Sequence, residues 1–323
     1  MSIALKITVA ALAGVLAASD ARAEERVEVR LTWKIKGEYA GLYMAEAKGL
    51  FAQQGLKVAI KQGAGGQAAM AALLQGQEDV VVAPGAYVLS SVAKGMPVKI
   101  IALYHPATPL ALFSHADKPV RVPKDLEGKK IATSFDTFSN YIDVFCKKTA
   151  IDCSTVSRVR VNIAMQQPMF MDRQVDAFGG YLDVDWPLLK AAAPDPLINI
   201  DLTKYGMTIP GLSIVTSDAV IAERPEVLRK FLAAVGRGTE MARDNVAEAT
   251  DVLMKIWDVA PNRAVVQEQI QSTVDFIPKV PNRPVGWIDQ NALLASLDIL
   301  QETDRIEYPK PVEKYYTNAL LAR

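Results

Sequence analysis

The stretch VEVRLTWKIKGEYAGLYMAEAKGLFAQQGLKVAI (Val27–Ile60) holds a strand, a turn, a helix and a second strand in succession. Val27, Val29 and Leu31 alternate with charged residues, the period-two pattern of a strand with one buried face. In AGLYMAEAKG, Tyr43, Ala47 and Leu50 recur at helical spacing and the run stops at Gly49, a residue that suits a helix C-terminus. KVAIKQG then predicts a strand parallel to the first. The turn between strand and helix is unusual. It carries Trp33, Lys34, Lys36, Glu38 and Tyr39 where a tight connection needs small residues. In open α/β sheets, ligands sit at the carboxyl ends of parallel strands, so this bulk reads as part of a binding site. Trp33 and Tyr39 supply an aromatic wall, and Glu38 accepts from a ligand or holds a lysine in place. A solvated charged turn is the alternative.

Working outward, the unit repeats. QAAMAALLQG predicts a helix, DVVVAPG a short apolar strand of the kind buried in parallel sheets, AYVLSSVAKG a helix and VKIIALYH a strand. From Pro106 the texture changes: four prolines fall within the 25 residues to Lys130, which reads as a crossing segment. A second α/β pattern follows, with strands in KIATS, VSRVRVN, VDAFGGY and LINIDL and helices in FSNYIDVFCKKT and DWPLLKAAA. TIPGLSIVTS is extended again, and PEVLRKFLAAVGRGTEMARDN places Val227, Leu228, Phe231, Leu232 and Val235 on one helical face. The expected fold is α/β with two lobes, each a mostly parallel sheet flanked by helices, joined by two crossings near 107–115 and 204–213 that form a hinge. Residues 24–112 and 210–323 make lobe 1, and 113–209 make lobe 2. The ligand cleft lies between them.

Composition narrows the function. The 323 residues are 50% hydrophobic and 22% charged, with 36 Lys plus Arg against 36 Asp plus Glu. That balance offers no basic surface for nucleic acid. Lys6 precedes the apolar run ITVAALAGVLAA, and Ala21-Arg22-Ala23 fits a secretory cleavage site. Residues 1–23 are therefore expected to be a signal peptide and the mature protein periplasmic; the apolar run is too short to span a bilayer. In that oxidising compartment Cys146 and Cys153 could form a bridge, or remain two buried thiols. Two cysteines and two histidines (His105 and His115) give no zinc spacing. Both histidines are far from the cleft loops in sequence and are expected on or near the hinge strand. No cofactor is expected.

Four further loops fall at the predicted cleft. GAGGQ opens a helix with Gly65, Gly66 and Gln67, whose backbone N–H groups could hold an oxygen; a plain turn is the alternative. APGAY contributes Pro84 and Gly85. TSFDTFSNY contributes Ser134, Phe135 and Thr137, or merely caps a helix. GGYLDVDWP places Tyr181, Asp183 and Asp185 on one side of a strand by period two and Leu182, Val184 and Trp186 on the other, all clustered at a strand end; a solvated acidic turn is the alternative. Paired carboxylates and aromatic faces suit a flat ligand that donates N–H groups.

AGLYMAEAKGLFAQQGLKVAI resembles the opening of periplasmic solute-binding proteins of ABC importers. The branch is that of thiamine-pyrimidine-precursor synthesis, with sulfonate-, taurine- and nitrate-binding relatives. Its pattern is matched by Gly41, Leu42, Tyr43, Ala45, Lys48, Gly49, Phe51, Gly55, Leu56 and Val58. DLEGKKIA (Asp125–Ala132), VDAFGGY (Val175–Tyr181), the run Val285–Ile306 and YYTNALL (Tyr315–Leu321) follow in the family's order. The resemblance implies a hinged type II-like binding protein, monomeric, that captures one small solute and hands it to a membrane permease without chemistry. Pyrimidine-binding relatives carry Asn-Pro and a His just before the AGLY motif, whereas this chain reads KIKGEYAGLY, with Tyr39 at the His position. A thiamine pyrimidine precursor or related N-heterocycle is the expected ligand, with a sulfonate, nitrate or aromatic carboxylate as the alternative. Fungal enzymes of this family make the pyrimidine precursor and are associated with a Cys-rich iron motif, which this sequence lacks.

Overall fold

The computed structural model describes residues 24–133, 138–305, 307–309 and 311–321. The expected signal peptide lies outside them, as do Ser134, Phe135 and Thr137. Ten strands form two five-stranded sheets among the described residues. The first half of the chain gives β1 (Glu25–Leu31), α1 (Ala40–Ala47), α2 (Leu50–Gln53), β2 (Leu56–Lys61), α3 (Gly66–Leu74), β3 (Val80–Pro84), α4 (Gly85–Ala93) and β4 (Val98–Leu103). It then crosses to β5 (Leu110–His115), β6 (Lys130–Thr133), α5 (Phe138–Thr149), β7 (Ser157–Arg160), α6 (Ile163–Met171), β8 (Ala177–Tyr181), α7 (Asp185–Ala192) and β9 (Leu197–Asp201). The return crossing leads to β10 (Leu212–Ser217), α8 (Asp218–Glu223), α9 (Pro225–Asp244), α10 (Val246–Ile256), α11 (Arg263–Phe276) and α12 (Gln290–Asp304).

The first sheet runs β2-β1-β3-β10-β4 and the second β7-β6-β8-β5-β9. In each, four strands share a direction. One strand that has arrived from a crossing, β10 or β5, inserts antiparallel next to the last strand. The two-lobed, mostly parallel architecture is therefore as expected, with one antiparallel strand per sheet. β5 corrects the reading of residues 107–115 as a bare crossing. LALFSH is buried along its whole length and sits between β8 and β9. Its flanking prolines, Pro106 and Pro109, end at the strand's first residue, so they break the crossing and not the ladder.

The two crossings lie against each other. Tyr104 N–H donates to the Leu212 carbonyl (2.8 Å), Gly211 N–H to His105 (2.8 Å) and Thr108 N–H to Ile209 (2.6 Å). Around the first sheet, α9 buries the stripe Val227, Leu228, Phe231, Leu232 and Val235. It approaches α1 so closely that a Cβ on Gly41 would stand 2.3 Å from Thr239 Oγ1, and one on Gly238 2.3 Å from the Gly41 carbonyl. Glycine at both positions lets the helix backbones meet, which gives Gly41 of the AGLY motif a packing role. α12 packs against both α4 and α5, and Lys147 pairs with Glu302 across that contact. Cys146 and Cys153 are joined by a disulfide, with Cα atoms 5.6 Å apart.

Candidate functional site

A cavity of about 540 Å3, counting the solvent at its mouth, opens between the two sheets. Its walls come from the carboxyl ends of β1, β3 and β8, and its base from the two crossings. After β1 the chain makes a 3-10 turn, Gly37–Tyr39, before α1. This turn brings Trp33, Lys36, Glu38 and Tyr39 to the cavity beside Thr32. β3 ends there with Val82, Ala83 and Pro84, the crossings add His105, Thr108, Gly211 and Leu212, and the turn after β8 adds Tyr181, Asp183 and Val184.

Six of the expected residues thus meet: Trp33, Glu38, Tyr39, Pro84, Tyr181 and Asp183. Trp33 stands 42% exposed at the mouth, while Tyr39 is buried. Of the two lysines, Lys36 lines the cavity and Lys34 is exposed. Asp185 stands one step behind, at the first residue of α7, where its Oδ2 accepts from Tyr181 N–H at 2.9 Å. The period-two alternation past Tyr181 does not hold, because the strand ends there and residues 182–184 turn. For that reason Val184 faces the cavity and Trp186 does not. The Trp186 ring stacks on Phe113 (centroids 5.4 Å apart) within the second sheet's own core.

The glycine loop braces the site without lining it. Gly65 N–H donates to the Thr32 carbonyl (2.8 Å) and Gly63 N–H to Trp33 (3.2 Å), while Gln62 Oε1 accepts from Ile35 N–H (3.0 Å). Gly66 packs against the Tyr87 ring, and Gln67 points to solvent. Gly85 N–H is bonded to the Gly211 carbonyl and Ala86 N–H to Pro210, so the start of α4 is tied to the return crossing.

His105 lies where the two crossings meet and, though far from the other cleft loops in sequence, is brought by the crossing to the cavity. The Leu103 end of β4 and the turn into the crossing aim its ring inward, and it is 1% exposed. Its Nε2 lies 3.2 Å from the Thr273 carbonyl. A carbonyl only accepts, so Nε2 carries the proton and Nδ1 presents a lone pair. Burial lowers the His105 pKa, opposed by the Thr273 bond and Glu38, which keeps the ring neutral. Nδ1 stands 3.8 Å from Asp183 Oδ2, beyond hydrogen-bond reach. His115 lies elsewhere, stacked on Phe170.

The carboxyl groups are strongly perturbed. Asp183, 2% exposed, is driven well above the ordinary carboxylate range by burial and by the charges of Glu38 and Asp185, with Lys36 opposing. Burial also raises Asp185, against the pull of Lys36 and the Tyr181 N–H. Burial pulls the Lys36 ammonium down, yet Glu38, Asp185 and Asp183 together lift it above its usual value. Lys36 therefore stays charged. Among the described residues it makes no ion pair within 4.0 Å. Burial and Glu38 hold the Tyr39 phenol neutral. The cavity thus sets one ammonium and a neutral imidazole beside the carboxyl groups of Glu38 and Asp183, with Asp185 one step behind.

Residues 36–249 match the family model described as NMT1/THI5 like. The formylaminopyrimidine-binding protein of Halalkalibacterium halodurans is 25% identical over 93% of this chain and 92% of its own length. The riboflavin-binding protein RibY of Chloroflexus aurantiacus is 22% identical over 91% and 85%. Among solved structures, the periplasmic aliphatic sulphonate binding protein SsuA of Escherichia coli superposes with a TM-score of 0.70 over 87% of each chain at 14% identity. That last likeness is one of fold. With the family pattern running from the turn after β1 through α10, the chain belongs to the NMT1/THI5-like family.

Proposed function

We propose that this chain is the periplasmic solute-binding component of an ABC importer and that it captures a small, flat N-heterocycle, of which a thiamine pyrimidine precursor is the leading candidate. The observation that carries the reading is the charge inventory of the cavity: Glu38, Asp183 and Asp185 against Lys36 alone. Carboxyl groups accept N–H bonds, and a carboxylic acid both donates and accepts. An aminopyrimidine edge offers the matching pair, a ring nitrogen and an exocyclic amino group. Trp33, Tyr39 and Tyr181 supply aromatic faces for the ring.

Lys36 supports the alternative of an oxyanion ligand, but its ammonium is already engaged electrostatically by Glu38, Asp185 and Asp183. On the preferred reading Lys36 restrains the acidic cluster and takes a ligand acceptor. Residues 1–23 direct export. The two sheets with their helices are lobes that move about the paired crossings, with the boundary expected at 112 moved ahead of β5 so that this strand stays whole in the second lobe, and a monomer delivers the solute to an inner-membrane permease. Among the described residues no helix is long and apolar enough to cross a membrane, which accords with a separate permease. The names of the two sequence relatives support binding over catalysis.

The test is calorimetric titration of the purified mature protein with formylaminopyrimidine, riboflavin, an alkanesulfonate and nitrate. Saturable 1:1 binding of the pyrimidine, with the oxyanions silent, is expected. Tight binding of the sulfonate or nitrate alone would overturn the reading.

A further inference from the structure

α11 buries Val265, Val266, Ile270, Thr273 and Val274 along one face, and in the middle of that face stands Gln269, 0% exposed. A buried amide in an apolar stripe is costly unless both its ends are bonded. Here both are. Gln269 Oε1 accepts from Gly37 N–H at 3.2 Å, and Nε2 donates to the Val184 carbonyl at 2.8 Å. The partners are telling. Gly37 lies between Lys36 and Glu38, and Val184 between Asp183 and Asp185. One side chain thus grips the backbone at the centre of each charged tripeptide, one on the first sheet's side and one on the second's.

We propose that Gln269 is the positioning residue that assembles the site, a latch holding the loop after β1 to the loop after β8. The inference rests on the binding reading for its purpose, but its geometry does not depend on which solute binds. With the latch made, Lys36 and Glu38 face Asp183 across the cavity. With it broken, α11 and α7 keep only the peripheral Lys190–Glu268 pair as an ionic link, and both its side chains are about 40% exposed. Exposed pairs of that kind hold little. Gly37 fits the role: a Cβ there would stand 2.4 Å from the Gln269 Cβ, so only glycine lets the amide reach the turn.

The test uses the mature protein and the variants Gln269→Leu, Gln269→Glu and Lys190→Ala. Small-angle scattering of the free protein at pH 8 and pH 5 reads the separation of the lobes. Q269L removes both bonds and should enlarge the radius of gyration at either pH. Q269E keeps the bond from Gly37 but, when ionised, cannot donate to Val184. It should be enlarged at pH 8 and return to the wild-type value at pH 5, since burial favours the protonated acid, which donates again. K190A should match the wild type. The titratable and charged groups near position 269 are Lys36 and Glu38, Asp183 and Asp185, His105, the Lys190–Glu268 pair and, toward α10, Arg263 with Asp251. The wild type at both pH values controls for them.

In a second arm, formylaminopyrimidine should bind Q269L at least about tenfold more weakly, the scale of one lost buried hydrogen bond. If Q269L does not fold, the pH-dependent return of Q269E decides. A folded Q269E whose dimensions equal the wild type's at pH 8, or do not change between the two pH values, overturns the latch, as does a K190A effect as large as that of Q269L. If formylaminopyrimidine fails to bind the wild type, the ligand reading fails while the scattering still judges the latch.

Discussion

Replacing Asp183 by Asn should make the protein more stable and a worse binder. Asp183 is buried against Glu38 and Asp185, and its pKa in the fold is raised well above 3.8. A carboxyl with a raised folded pKa binds its proton more tightly in the native state than in the unfolded chain. Its stabilising contribution is complete below pH 3.8 and is lost as the pH climbs through the folded value. Because the fold raises its pKa, ionising Asp183 costs the wild type stability at alkaline pH, by about 1.4 kcal/mol for each unit of elevation. Asn is neutral at every pH and nearly isosteric, and its amide can donate to Glu38 or Asp185. Allowing for an imperfect fit of that amide, a net gain of about 1 kcal/mol is expected at pH 8, or roughly 2 °C in Tm for a chain of this size. The gain should shrink as the pH falls toward 4. Scanning calorimetry of both proteins at pH 4.5, 6 and 8 measures it. A D183N protein that melts at or below the wild type throughout, or whose advantage grows at low pH, would refute the picture of a strained, proton-holding carboxyl. The same substitution removes the acid at the cavity wall, so affinity for formylaminopyrimidine should fall more than tenfold on the scale of a charged hydrogen bond.

Lys36→Met leaves Glu38, Asp183 and Asp185 uncompensated, and should cost about 1–2 kcal/mol at pH 8 and less at pH 5, where the carboxyls take up protons; urea denaturation at the two pH values checks it. Gly41→Ala drives a methyl into Thr239 of α9 and should cost about 1–3 kcal/mol through overpacking, read as a lower urea midpoint. Cys153→Ser opens the short loop closed by the Cys146–Cys153 bridge, and loop entropy sets the loss at about 2 kcal/mol; the same drop should appear when the wild type is melted under reducing conditions.

Local periodicity carried most of the fold. Val27, Val29 and Leu31 announced β1, and the Val227–Val235 stripe announced α9, because each element has one buried face that repeats at its own period. β5 was hidden since it is buried on both faces and framed by prolines, so it shows neither alternation nor an open start. α11 was hidden by Gln269 and Thr273, which interrupt an apolar stripe whose hydrogen-bond partners lie far away in sequence. At the site, Trp33, Glu38, Tyr39 and Asp183 were legible from bulk and charge at strand ends. His105 was not, because its placement depends on the path of the crossing. Trp186 was read as a site residue for its aromatic face, although period two sets it opposite Asp183; it stacks on Phe113 in the second sheet's core instead.

The turn at 182–184 bears on ligand choice. Were β8 to continue four residues further, Asp183 and Asp185 would share one face of the strand and both point toward Lys36. The turn instead withdraws Asp185 to the start of α7, where the Tyr181 N–H holds it, and leaves Asp183 as the buried wall group. One carboxyl is thereby kept toward its neutral form while another is hydrogen-bonded as an acceptor. Burial raises both carboxyls, but only Asp185 has the Tyr181 N–H bond and the pull of Lys36 as its main opposing influences, so the two sit in different environments. The backbone N–H groups of Gly63, Gly65, Gly85 and Ala86, beside the cavity, are already bonded within the protein. The fold is shared with a sulphonate binder, but at those positions no backbone donor is left for an oxyanion, so the donors to such a ligand would be side chains, Lys36 first among them.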